Sequence, residues 1–224
     1  MQAVAPNLWI KHYPLSVLGG RQGRVVTIIR LTSGKLVIHS TAPFTPDDVM
    51  EIEALGPPIW LVDVIVHHDT FAKYGRGAFP RALYFAPHGF SAAGVDTQPL
   101  LPIPSEWESE LGVLLIEGTP FAQEHVFLHR PSRTLIVADL LYHFDAAPGW
   151  AGFFRRTLMG VKESPDCGRL YPLLIRDRAA YDRSIREMLA WDFDRIIVGH
   201  SRLVETNGKE LLKQALARKK MLPE

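Results

Sequence analysis

The sequence contains a single cysteine, Cys167, in 224 residues. No disulfide can form within the chain and no cysteine-based zinc cluster can be assembled, so a reducing, cytoplasmic setting is expected. An excess of one charge is also missing, because 25 Lys and Arg stand against 24 Asp and Glu for a net +1. The longest like-charge run is Arg218-Lys219-Lys220. Binding driven by phosphate neutralisation is therefore not expected, and nucleic acid is excluded as a partner. Long hydrophobic runs are lacking too: the longest, 59–66, is broken by Asp63, and the first six residues offer neither a basic nor an apolar signal region. Neither a secretory signal nor a membrane span is expected. No fixed-period repeat or low-complexity tract occurs. The remaining composition, 47% hydrophobic and 22% charged, is globular, and the length favours one domain over 1–224.

Strand patterns fall at 7–13, 24–31 and 36–40, the last two joined by the turn Thr32-Ser33-Gly34-Lys35. Thr45, Pro46 and Asp48 supply a cap, a first-turn proline and an acid three residues after the cap, so a helix starts there and Gly56 closes it. Further strands are expected at 60–66, 82–86, 113–117, 125–129, 134–139 and 195–198, and helices at 177–191 and at 208–217, the latter capped by Asn207. Tyr74-Gly75-Arg76-Gly77 reads as a short polar segment without phosphate-loop context, and 87–112 as a long functional loop. Strands alternating with helices indicate an α/β plan.

Three apolar strands end on metal-type side chains. Residues 60–66 run into His67-His68-Asp69, 134–138 end on Asp139, and 195–199 end on His200. In α/β folds, sites gather at strand carboxyl ends, and imidazole with carboxylate suits zinc or a non-haem iron or manganese ion. The same residues also fit ordinary strand ends, with Asp139 capping the next segment and the histidines starting loops.

The order of a glycine-turned hairpin, a strand running into a His-rich turn, a strand ending in Asp and a late strand ending in Gly-His resembles the metallo-β-lactamase fold. More narrowly, Arg30-Leu31-Thr32-Ser33-Gly34-Lys35-Leu36, His39-Ser40, 127–135 and Asp139-Leu140 resemble a domain-of-unknown-function branch of that superfamily with a degenerate metal motif. The resemblance covers about residues 7–217 and implies a four-layer αββα sandwich. The superfamily signature His-x-His-x-Asp-His is incomplete in Val66-His67-His68-Asp69-Thr70. His67 matches either its first or its second histidine; in the second register Asp69 matches the aspartate. Asp139 matches the bridging aspartate and His200 the last histidine, while Glu117-Gly118-Thr119-Pro120 offers no counterpart to a further histidine. His39 stands where the superfamily has a strand-end acid.

The resemblance thus implies one divalent metal, zinc foremost with iron or manganese as alternatives, held by His67, Asp139 and His200, with His68 or Asp69 as a fourth ligand. Asp69 or His39 would take a proton or orient a ligand imidazole, and Tyr142, His143 and Ser201 would contact a small-molecule substrate. His143 follows Asp139 by four residues, which a helical turn would bring to one face. The segment 148–156, with aromatic bulk and Arg155 and Arg156, could border the site or form an amphipathic helix with Phe153 and Phe154 inside. A rival serine elbow at Gly199-His200-Ser201 is opposed by Leu203 in its second glycine position and by the lack of His or Asp in 202–224. The expected function is metal-dependent hydrolysis, and the alternative is an inactive fold that binds a small molecule or a partner.

Overall fold

A computed structural model describes residues 1–17, 20–144, 149–153, 156–157, 159–161, 165–200 and 202–223. Its first half contains β1 (Gln2–Ala5), β2 (Leu8–Tyr13), β3 (Ser16–Val17), β4 (Gly20–Arg21), β5 (Arg24–Arg30), β6 (Leu36–His39), α1 (Pro46–Glu53), β7 (Pro58–Val62), α2 (Ala72–Ala78), β8 (Leu83–Ala86) and β9 (Gln98–Pro99). The second half contains β10 (Leu111–Leu115), β11 (His125–His129), β12 (Thr134–Ile136), α3 (Gly149–Phe153), α4 (Arg178–Ala190), β13 (Arg195–Ile197) and α5 (Gly208–Arg218). Seven strands form one sheet in the order β1-β2-β5-β6-β7-β8-β9, and four form another in the order β10-β11-β12-β13.

Three apolar clusters stack these elements into layers. Ile10, Val37 and Val62 of the first sheet meet Leu111, Phe127 and Ile197 of the second between the sheets. The other face of the first sheet packs Ile28, Ile38 and Leu61 against Ile52 of α1 and Ala72 of α2. The other face of the second packs Leu135 and Ile196 against Ile185 and Met188 of α4 and Leu212 and Leu216 of α5. The result is an αββα sandwich. It explains why β5 and β6 are apolar on both faces: each is covered on both sides. Among the described residues no helix is long and apolar enough to cross a membrane.

Local chemistry sets several boundaries. Thr45 and Asp48 form a reciprocal capping box at α1, with Pro46 in the first turn. Asp177 caps α4 by accepting from the Ala180 amide at 3.0 Å. Asn207 precedes α5 as expected, but its side chain makes no capping bond. Asp194 anchors that end instead, accepting from the Asn207 amide at 2.8 Å through its side chain and from the Gly208 amide at 2.6 Å through its carbonyl.

Other departures are larger. The expected strand at 60–66 stops at Val62, because the next residues leave the sheet edge and bond the second half of the chain: the Val64 carbonyl accepts from the His125 amide at 2.8 Å, and the Val66 amide donates to Ala122 at 3.0 Å. Tyr74-Gly75-Arg76-Gly77, expected as a short polar segment without helix context, lies inside α2. Gly75 lets that helix seat on Thr41, since a Cβ there would lie 2.4 Å from the Thr41 methyl. Segment 87–112 contributes β9 at the sheet edge and buries Trp107 between the sheets, 5.7 Å from Trp60. Part of the segment thus closes the core.

Candidate metal centre

Strand register brings Asp139 and His200 together. Parallel pairing of β12 with β13 sets Ile136 beside Ile197, and Asp139 and His200 each follow three residues later. His200 Nε2 lies 3.2 Å from Asp139 Oδ1. From the other half of the chain, His68 brings its Nε2 to 3.4 Å from the same oxygen. One ligand atom from each of the three side chains lies within 4.8 Å of the others.

The histidine that arrives is His68, whereas His67 is exposed at the mouth of the adjoining cleft. Strand alternation does not decide between two adjacent histidines once the strand has ended at Val62. The turn in which the His68 amide donates to the Ile65 carbonyl at 3.1 Å does, and it points His68 inward. Asp69 opens a 3-10 turn over Asp69–Phe71, is exposed, and stands outside the cluster. His39 is buried beneath the site, edge-on to Phe127 with ring centroids 5.1 Å apart. Burial, with the nearby His68 and Arg24, pushes its pKa to about 3 and keeps it neutral. His143 bonds the Leu203 carbonyl through Nδ1 at 3.1 Å, since residues 139–143 form no helical turn that would bring it to Asp139. Ser201 lies outside the described residues, as do Phe154 and Arg155; Phe153 is exposed and stacked on Trp150 rather than packed inside.

Four groups hold the cluster. The Gly23 carbonyl accepts from His200 Nδ1 at 2.6 Å. Arg24, 1% exposed, places Nη1 2.5 Å from His68 Nδ1. Tyr142 bonds Asp139 through its hydroxyl and stacks on His200 at 5.7 Å and 13°. Glu124, fully buried, accepts through Oε1 from the amides of Ala138, Asp139 and Leu140 at 2.8, 3.2 and 3.2 Å, and through Oε2 from Tyr171 at 3.2 Å. Neither Arg24 nor Glu124 stands out in the sequence. An arginine opening a strand and a glutamate preceding one look like ordinary solvated ends, and only the packing of the two halves buries them.

Electrostatics follow from burial. Desolvation, and then the Arg24 charge, push His68 down to about 4, so it is neutral at pH 7. Desolvation alone would raise Asp139, but the two imidazoles outweigh it and hold the carboxyl well below its usual range. Desolvation, and then the Asp139 charge, lift Glu124 to about 8.

The donor set at Asp139 and His200 fits a cation. Because His200 Nδ1 donates its hydrogen to a carbonyl, a neutral His200 aims the lone pair of Nε2 at a carboxylate oxygen 3.2 Å away. Two acceptors face each other there, and a cation or an extra proton must lie between them. A backbone carbonyl on the remote nitrogen is the usual support of a metal-binding imidazole. Beside Asp139 opens a cleft of about 590 Å³ walled by Ile65, Ala122, Leu170, Tyr171 and Leu174, with His67 and Arg169 also lining it.

The overall fold recurs in solved structures. The metallo-β-lactamase FIM-1 from Pseudomonas aeruginosa in its mono-zinc form superposes with a TM-score of 0.64 at 14% identity, over 99% of this chain and 96% of that one. The chain has the metallo-β-lactamase fold. The metallo-β-lactamase from Erythrobacter litoralis with β-mercaptoethanol in its active site gives a TM-score of 0.66 at 14% identity over 97% and 95%. That from Hirschia baltica gives 0.64 at 14% over 98% and 96%. No protein-family model matches the sequence, and no curated protein matches it. The metallo-β-lactamase fold thus extends over nearly the whole chain at sequence identities that speak for architecture alone.

Proposed function

We propose that the protein is a metal-dependent hydrolase acting on a small, largely apolar molecule seated in the cleft beside Asp139. The observation that carries this reading is the facing pair of acceptors, Asp139 Oδ1 and His200 Nε2, with His68 beside them and Asp139 itself lining the cleft. Asp139 and His200 would hold one divalent ion, zinc foremost with iron or manganese as alternatives. Such an ion supplies Lewis acidity and lowers the pKa of water toward ~7.

The chain's own residues provide the rest. Glu124 pins the backbone that carries Asp139, and the Gly23 carbonyl fixes the His200 ring. Tyr142 covers His200 from the cleft side and donates to Asp139, which keeps the carboxylate oriented. Ile65, Leu170 and Leu174 exclude water from the bound molecule, and Arg169 offers its polar end a positive charge. The single cysteine, buried and free, accords with a reducing compartment such as the cytoplasm, where we place the protein; its partner is a small molecule rather than nucleic acid or membrane.

A second reading, binding in the same cleft without turnover, draws on one observation: His67, Asp69 and His143 all stand away from the cluster, which leaves a thin ligand set. Metal analysis of protein purified without chelators, followed by hydrolysis of p-nitrophenyl esters and bis-p-nitrophenyl phosphate, separates the two. The hydrolase reading expects about one ion per chain, loss of turnover on dialysis against EDTA and recovery on adding zinc, manganese or iron. Ligand binding in the cleft with neither metal nor turnover would replace it by the second reading.

A further inference from the structure

We infer that His68 serves in this centre as a fixed hydrogen-bond donor and not as a metal ligand, and that the buried Arg24 guanidinium assigns it that role. A guanidinium has donors only, so the His68 Nδ1 that lies 2.5 Å from Arg24 Nη1 must be the lone-pair nitrogen. A neutral imidazole then carries its hydrogen on Nε2, the atom that faces Asp139 Oδ1 at 3.4 Å. His200 is set the other way. Its Nδ1 meets a carbonyl at 2.6 Å, so Nδ1 carries the hydrogen and Nε2 presents a lone pair to the same aspartate oxygen at 3.2 Å. Two imidazoles of equal appearance therefore present opposite polarity to one carboxylate oxygen, and consecutive residues, the Gly23 backbone and the Arg24 side chain, impose the difference.

Metal-binding histidines give their remote N–H to an acceptor. His200 has that acceptor, whereas His68 has a donor in its place. Ligation through His68 Nε2 would require either an imidazolate or loss of the Arg24 contact. That loss would remove a partner from a guanidinium whose Nε already has none among the described residues. Arg24 also interacts favourably with Asp63, Asp139 and Asp69, so it brings to the cluster a permanent positive charge that no ion has to supply. Arg24 is thus a positioning residue. His68 Nε2–H is left to orient Asp139 or to donate to an oxygen of the bound molecule.

The inference leans on the proposed metal centre only for its consequence, not for the tautomer, and two measurements keep these apart. In metal-free, uniformly 15N-labelled protein, long-range 1H–15N spectra should show His68 protonated on Nε2 and bare on Nδ1, and His68 should lose that single-tautomer signature in Arg24→Met. A His68 protonated on Nδ1 in the wild type overturns the inference whether or not metal binds. Titration with Co2+ then reads the consequence. His200→Ala and Asp139→Ala should weaken binding more than about a hundredfold, and His68→Ala by no more than the ~10–100-fold typical of an outer-shell partner. A His68→Ala loss equal to that of His200→Ala overturns the inference. Absence of Co2+ binding in the wild type would instead sink the proposed hydrolase and leave the tautomer result standing.

Discussion

The two sheets deliver their parts of the site by different means. The second sheet presents Asp139 and His200 from adjacent parallel strands, and the loop that carries Asp139 is pinned by three amides on one Glu124 oxygen. The first sheet delivers His68 from a turn beyond the end of β7 and secures it through the side chain of Arg24. Strand register with one buried glutamate places one half of the centre, and a turn with one buried arginine places the other. The difference marks where substitution should be most damaging and where the sequence could be read.

The widest contrast is in turnover. Asp139→Ala removes the group on which both imidazoles and Tyr142 converge, and should lower kcat/KM at least about a hundredfold, the upper end of what loss of a metal's outer-shell partner costs. His67→Ala, at the exposed mouth of the cleft, should change it less than about threefold, the size of a surface effect near 0.5 kcal/mol. Steady-state kinetics on whichever ester or phosphodiester is turned over measures both. Equal losses in the two variants would return His67 to the centre.

Next in size is the stability held by Glu124. Replacing it with Ala strips a buried acceptor from the amides of Ala138, Asp139 and Leu140 and from the Tyr171 hydroxyl. Buried groups left unsatisfied cost ~1–3 kcal/mol each, and partial relaxation should leave a net loss of about 3 kcal/mol. Urea unfolding checks this. A loss below about 1 kcal/mol, the worth of one ordinary hydrogen bond, would mean that β12 and β13 hold the Asp139 loop unaided.

The same division explains what could be read from the sequence. Asp139 and His200 were legible because each follows a buried strand whose length and apolar run are local properties, and the parallel register then aligns them. The choice between His67 and His68 was not, because it depends on where β7 leaves the sheet, and that is fixed by the His125 amide and the Ala122 carbonyl of the second half bonding residues 64 and 66. Arg24 and Glu124 were hidden for a related reason. Nothing within five residues of either distinguishes a charge buried between two halves from one in water. The Gly-rich α2 read only as a short polar segment because its glycine answers to a tertiary contact with Thr41. Layering, by contrast, came from the resemblance to the metallo-β-lactamase fold, and the two-sided burial of β5 and β6 agrees with it.

The finest expected difference is in pH dependence, where the buried histidines and the buried Glu124 carry opposite signs. On the first-sheet side His39 and His68 are held at about 3 and about 4 against an ordinary 6.5. Below 6.5 the unfolded chain binds more protons than the folded one, so these bases contribute stability that is whole above pH 6.5 and is lost as pH falls. His125, pushed by burial to about 4, acts in the same direction. On the second-sheet side Glu124 is raised to about 8 from 4.5. Between those values the folded chain binds the extra proton, so stability is lost as pH rises. Above 6.5 only Glu124 among these groups acts, and below it three bases oppose one acid. Stability in chelator-containing buffer should therefore peak near pH 6.5, with the acid limb the steeper and each group adding at most ~1.4 kcal/mol per pH unit. Glu124→Gln should flatten the alkaline limb and leave the acid limb in place, and His39→Asn should do the reverse. Urea midpoints from pH 5 to 8.5 decide the matter, and stability that climbs steadily from 6.5 to 8 would show that Glu124 is ionised in the folded protein.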